Sequence, residues 1–131
     1  ANPLSSAAVL ATLDEFETTD VIGRGRQLAA VIEAGLLRLK ETGVIAHVRG
    51  EGAVWGIECT AIGSHTADQV AIECVRACYL GDGQGRAIHL LGPLAGKVIR
   101  ISPPLVMPLD EAREYLDVMF NLFAELKQRL S

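Results

Sequence analysis

A single cation, Arg100, interrupts the apolar and β-favouring stretch KVIRISPPLVM at residues 97–107. A guanidinium stays charged in a protein, and its planar fork matches a carboxylate through two parallel hydrogen bonds. A strand end that is followed by Pro103 and Pro104 is stiff, so it would hold such a group in a fixed place. The pattern therefore predicts that Arg100 binds a carboxylate.

The carboxylate partner of Arg100 could come from either of two sources. One is a side chain of the same chain, which contains 16 Asp and Glu residues, and Arg100 would then be half of a structural ion pair. The other is a ligand or a separate polypeptide segment, and Arg100 would then be a binding residue. Residue types and spacing leave both alternatives open.

The sequence shows no self-contained catalytic set beside Arg100. There is no Ser-His-Asp grouping with an elbow motif, and the segment GDGQG at 81–85 lacks the strand-then-helix context of a dinucleotide fingerprint. Lys40 and Lys97 are interpreted as exposed side chains, without the apolar pocket that Schiff-base chemistry needs. Glu58 is interpreted as a solvated or paired carboxylate at a strand end. We predict no catalytic residue and no cofactor-binding residue in this chain.

Metal ligation is not expected either, because zinc sites usually take their ligands in tight pairs and no C-x-x-C or H-x-x-x-H motif occurs. An odd number of cysteines in an aliphatic domain indicates reduced, buried thiols and a cytoplasmic location. The cysteines and histidines in question are Cys59, Cys74, Cys78, His47, His65 and His89.

Four helices are expected around the Arg100 strand. The first spans residues 2–16, with Asn2 as N-cap and Pro3 in the first turn. The second spans about 20–42 and is ended by Gly43 in the left-handed conformation. The third follows a T-x-x-Q capping box at Thr66 and runs to about residue 80. The last spans about residues 110–130.

Four strands are expected between these helices, arranged as two hairpins. Val44–Arg49 and Ala53–Cys59 are separated by GEG, and Ala87–Leu91 and Lys97–Ile101 are separated by GPLAG. The element order ααββαββα predicts an α+β fold with a small, mostly antiparallel sheet and helices packed on it.

Bulk composition sets limits on domain number and partners. The 131 residues are expected to form a single domain, residues 1–131, and half of them are hydrophobic. The net charge is −4 and no basic stripe occurs, so no nucleic-acid partner is expected. No apolar run approaches the length of a membrane span, so no membrane partner is expected.

Three motifs in order resemble the C-terminal part of the class III, omega-type aminotransferases. NPLSSAAVLATLD is similar to the family's G-N-P-L-x-x-A-A-A-L-A-T-L-D, with Ala1 in place of glycine. VRGEGAVWGIE is similar to V-R-G-x-G-L-M-x-G-I-E. KVIRISPPLVM is similar to N-V-I-R-x-x-P-P-L, with Lys97 in place of asparagine. The family includes 4-aminobutyrate, ornithine, acetylornithine and diaminobutyrate aminotransferases, which are pyridoxal-phosphate enzymes of fold type I.

The resemblance implies roles that the residues alone do not. Arg100 matches the arginine that binds the substrate α-carboxylate, and that some members hold against a glutamate of the large domain while an ω-amine reacts. The chain would be the C-terminal small domain of a longer homodimeric enzyme, with its own large domain, a second subunit and an amino acid or 2-oxo acid as partners. The pyridoxal-phosphate lysine would lie in the absent large domain, so the chain would be inactive alone.

A different class of function also fits the residues. The chain could be a free-standing α+β module that binds a ligand or regulates another protein without catalysis. A lysine-bearing large domain encoded upstream would distinguish the enzyme from the module.

Overall fold

The computed structural model describes residues 2–93 and 95–131. Ala1, which belongs to the first family-like motif, and Leu94, which belongs to the predicted GPLAG turn, lie outside the described residues.

Four α-helices form at the predicted places. Helix α1 spans Pro3–Thr18, α2 spans Val21–Arg38, α3 spans Ala67–Leu80 and α4 spans Leu109–Leu130. The second helix was expected to continue to residue 42, but its last turn, Leu39–Thr42, tightens into a 3₁₀ helix. None of the helices in the described part of the chain combines the length and apolar content needed to cross a bilayer.

The predicted helix ends are confirmed in atomic detail. The Leu4 backbone N–H donates to Asn2 Oδ1 at 3.1 Å. At α3, the Gln69 N–H donates to Thr66 Oγ1, and the Thr66 N–H donates to Gln69 Oε1, which completes the capping box. Gly43 ends the 3₁₀ turn with a φ of 71°, a conformation that glycine adopts without a Cβ clash.

Three strands form one antiparallel sheet in the order β1-β2-β3. Strand β1 spans Ile45–Glu51, β2 spans Val54–Cys59 and β3 spans Val98–Ile101. Helices pack on this sheet, so the predicted α+β class is confirmed.

The predicted strand at Ala87–Leu91 is wrong, and within the described residues the order is ααββαβα. The Ile88 N–H donates to the carbonyl of Cys78 at the end of α3, at 2.8 Å. Because the Ile88 N–H is bound to α3, it is not available to a neighbouring strand. Residues 87–91 therefore run beside β3 as irregular chain.

The sheet buries one face and leaves the other open. Alternate residues point to opposite faces, and the side chains of Trp55, Ile57 and Ile99 are buried with Leu28 and Phe123 in the helix-covered core. We call the opposite surface the open face. It carries His47, Arg49, Glu51, Val54, Gly56, Glu58, Val98 and Arg100.

Candidate functional site

Arg100 occupies the third position of β3 and is exposed, as its place between buried Ile99 and Ile101 requires in a strand with period two. The strand ends at Ile101, and Pro103 and Pro104 follow within three residues. The prediction of a guanidinium presented at a proline-stopped strand end is confirmed.

A cavity of about 450 Å³ lies beside Arg100, between residues 87–91, the end of β3 and helix α4. Most of the residues that line it are apolar, as is common in small-molecule sites. The lining residues that have polar side chains are Arg100, His89, Ser102, Glu111 and Tyr115.

Arg100 has no ion pair and no side-chain hydrogen bond with any residue in the described ranges 2–93 and 95–131. Glu111 shares the cavity wall but forms no ion pair with it. The structural ion pair considered from the sequence is thus not formed within the described chain. The guanidinium remains available to a carboxylate from elsewhere.

Glu58 lies two residues after Gly56, which is the cross-strand neighbour of Arg100. Both carboxylate oxygens of Glu58 are bound. Its Oε1 accepts from Lys97 Nζ at 2.7 Å, and its Oε2 accepts from Arg49 Nη1 at 2.8 Å. The pKa of the Glu58 carboxyl is lowered from its ordinary value of 4.5 to about 2. The hydrogen bond from Lys97 is the largest cause, and the hydrogen bond from Arg49 is the second. Of the two alternatives for Glu58, the paired carboxylate is correct. The sequence did not indicate which cations pair with it, because Arg49 lies on β1 and Lys97 lies in the turn before β3.

The cysteines are free and buried, as predicted. Burial raises the pKa of Cys78 to about 12, and contact with Cys59 together with burial raises the pKa of Cys74. The thiols of Cys74 and Cys78 therefore stay protonated and unreactive. In the described residues, no three His, Cys, Asp or Glu side chains cluster as a metal site would require.

Comparison with known proteins identifies relatives along almost the whole chain. A family model described as aminotransferase class-III matches residues 1–123. The 4-aminobutyrate aminotransferase of Mycobacterium leprae is 31% identical over 95% of this chain, and the acetylornithine aminotransferase of Agrobacterium fabrum is 37% identical over 88% of it. The chain spans only 27% and 26% of the length of these two relatives.

Solved structures agree with the fold. The adenosylmethionine-8-amino-7-oxononanoate aminotransferase of Methanocaldococcus jannaschii superposes with a TM-score of 0.74 at 27% identity, over 95% of this chain and 28% of that one. Class III aminotransferases depend in general on pyridoxal phosphate.

The described wall of the cavity beside Arg100 offers no covalent attachment point for pyridoxal phosphate. A covalent site needs a lysine in the binding cavity, and the described wall beside Arg100 contains none. The Lys97 ammonium is engaged by Glu58 at the open face.

Proposed function

Because this chain belongs to the class-III aminotransferase family, we propose that the protein containing it transfers an amino group from an amine or amino acid to a 2-oxo acid. The relatives named for 4-aminobutyrate and acetylornithine suggest a donor with an ω-amino group. Pyridoxal phosphate would supply the electron sink for that reaction. We propose that the lysine that holds it lies in a large domain outside this chain, and that the chain alone is inactive.

The observation that carries this proposal is the Arg100 guanidinium, which has no ion pair with any residue in the ranges 2–93 and 95–131. It is exposed near the end of β3, and a carboxylate that binds there would balance its charge. The fork of Arg100 would donate a hydrogen bond to each oxygen of the substrate α-carboxylate. The chain's own part in catalysis is therefore to bind and orient the carboxylate of the amino acid or oxo acid.

Helix α1 supports the proposal of further partners in the same polypeptide and in a second subunit. The helix has no buried residue among its 16. Large apolar side chains that would normally be covered are exposed along it, and such surfaces mark interfaces. They are Leu4, Val9, Leu10, Leu13 and Phe16. We propose that the large domain and the second subunit of a cytoplasmic homodimer cover this helix.

The test is Arg100→Lys in the full-length protein. Lysine keeps the charge and loses the two-pronged geometry, so one of two charge-assisted hydrogen bonds is lost. Since such a bond contributes roughly 1.5–3 kcal/mol, kcat/KM for the α-carboxylate substrate should fall by about one to two orders of magnitude. Stopped-flow measurement of the two half-reactions separates the oxo acid from the ω-amino donor, and the ω-amino half-reaction should fall less.

The matched control is Arg76→Lys, which alters an exposed arginine on α3 outside the cavity wall. It should leave both half-reactions unchanged. If Arg100→Lys slowed both half-reactions equally and lowered the melting temperature, Arg100 would be a structural residue. If it changed neither, the proposed carboxylate site would be wrong.

A further inference from the structure

The cross-strand register places Glu58 within reach of Arg100. Glu58 lies directly opposite Val98, and Arg100 is two residues further along the same face of β3. Diagonal neighbours of this kind have their Cα atoms about 7–8 Å apart, which long side chains can bridge. An ion pair between Glu58 and Arg100 is therefore geometrically open, although it is not formed.

The same diagonal offset on the other side of β2 does produce an ion pair. Glu58 lies opposite His47 on β1, and Arg49 is two residues further along that strand. Arg49 Nη1 reaches Glu58 Oε2 at 2.8 Å. Two arginines thus stand in matching positions around one carboxylate, and only one of them is bound.

Lys97 accounts for this difference. Its ammonium lies 2.7 Å from Glu58 Oε1, so each carboxylate oxygen already accepts a charged donor. The Glu58 side chain is only 15% exposed, which restricts its rearrangement towards a third cation. Without Lys97, Oε1 would face the open sheet with Arg100 as the nearest cation in register on β3.

We propose that Lys97 is a positioning residue that keeps Arg100 free for the substrate carboxylate by occupying Oε1 of Glu58. This inference rests on the carboxylate-binding role proposed for Arg100. Lys97 does not touch the substrate. It sets the carboxylate affinity by preventing an internal competitor, Glu58, from binding the guanidinium.

The experiment measures equilibrium binding of glutarate, an unreactive dicarboxylate, to the full-length protein by titration calorimetry. In Lys97→Met, Glu58 competes for Arg100, and a partly exposed pair of this kind should weaken glutarate binding roughly threefold to tenfold. The KM of the oxo acid should rise with kcat nearly unchanged, which a general loss of structure would not produce. Lys40→Met, at an exposed lysine outside the cavity wall, should bind glutarate like the wild type. If Lys97→Met fails to fold, Lys97→Gln serves instead.

The double variant Lys97→Met/Glu58→Gln tests whether Glu58 causes the weaker glutarate binding of Lys97→Met. A neutral glutamine cannot capture the guanidinium as a carboxylate does, so glutarate affinity should return to that of Glu58→Gln alone. Unchanged binding in Lys97→Met, or a defect that persists in the double variant, would overturn the role of Lys97. Those results leave the Arg100 site standing, because that site is overturned only by Arg100→Lys, either through equal losses in both half-reactions with a lower melting temperature or through no effect at all.

Discussion

Arg49 and Arg100 lie on the two outer strands of one small sheet, each as the direct cross-strand neighbour of Gly56. Both side chains emerge on the open face and both are exposed. Arg49 donates to Glu58 at 2.8 Å, whereas Arg100 has no acidic partner among the described residues. The two arginines have nearly the same setting in the sheet, and they differ in that only Arg49 is bound to the Glu58 carboxylate.

This comparison shows that a strand arginine acquires its role from the charges around it. Arg49 joins β1 to β2 through a carboxylate that Lys97 also holds, so its charge is balanced inside the domain. Arg100 lines a cavity of about 450 Å³ and has no ion pair with any residue in the ranges 2–93 and 95–131. We therefore expect Arg49 to contribute to stability and Arg100 to contribute to substrate binding.

The largest difference is expected in activity when each arginine is replaced by methionine in the full-length protein. Arg100→Met removes two charge-assisted hydrogen bonds to the substrate, so kcat/KM for the oxo acid should fall by about a hundredfold or more. Arg49→Met removes no substrate contact and should lower kcat/KM by less than about tenfold. Steady-state kinetics on the two variants makes the comparison, and equal losses would abolish the distinction between the two sites.

A smaller and opposite difference is expected in thermal stability. Arg49→Met leaves Glu58 with one of its two cations and should lower Tm by roughly 2–4 °C. Arg100→Met breaks no internal bond of the described chain and should leave Tm unchanged or slightly higher. Calorimetric scans at one protein concentration provide the measurement. A clear loss of Tm in Arg100→Met would mean that the guanidinium has an internal partner.

The smallest effect is a pH dependence that belongs to the Arg49 side alone. The pKa of Glu58 is lowered from 4.5 to about 2 in the folded chain, so its ionised form stabilises the fold fully above pH 4.5. That contribution is lost as the pH falls through 2. The Tm difference between wild type and Glu58→Gln should therefore be largest near neutral pH and shrink between these values. A difference that is constant with pH would show that Glu58 acts through packing.

Local signals in the sequence predicted most of the fold. Asn2, Gly43 and the Thr66–Gln69 capping box act through bonds to residues only a few positions away, so the sequence carries their full meaning. The strand at Ala87–Leu91 was wrong because a short apolar run does not report a competing hydrogen-bond partner. The carbonyl of Cys78 takes the Ile88 N–H, and that choice depends on where α3 ends in space.

The sequence indicated that Arg100 is the residue of interest in the candidate site. It did not indicate which charged side chains pair with one another around it. The proline-stopped strand indicated that Arg100 needs a carboxylate partner, but it left open whether that partner is a ligand or one of the 16 acidic residues of the chain. Which of them lies within reach follows from the register of β2 with β1 and β3. The same register brings Arg49 and Lys97 to Glu58, a convergence over long sequence distances that has no local signature.

The most direct test of the central claim is a crystal structure of the full-length protein with glutarate bound. We predict that one glutarate carboxylate lies with both oxygens within about 2.7–3.2 Å of the Arg100 guanidinium nitrogens, while Glu58 remains bound to Arg49 and Lys97. An Arg100 guanidinium paired with Glu58 or Glu111, with glutarate bound elsewhere, would contradict the account.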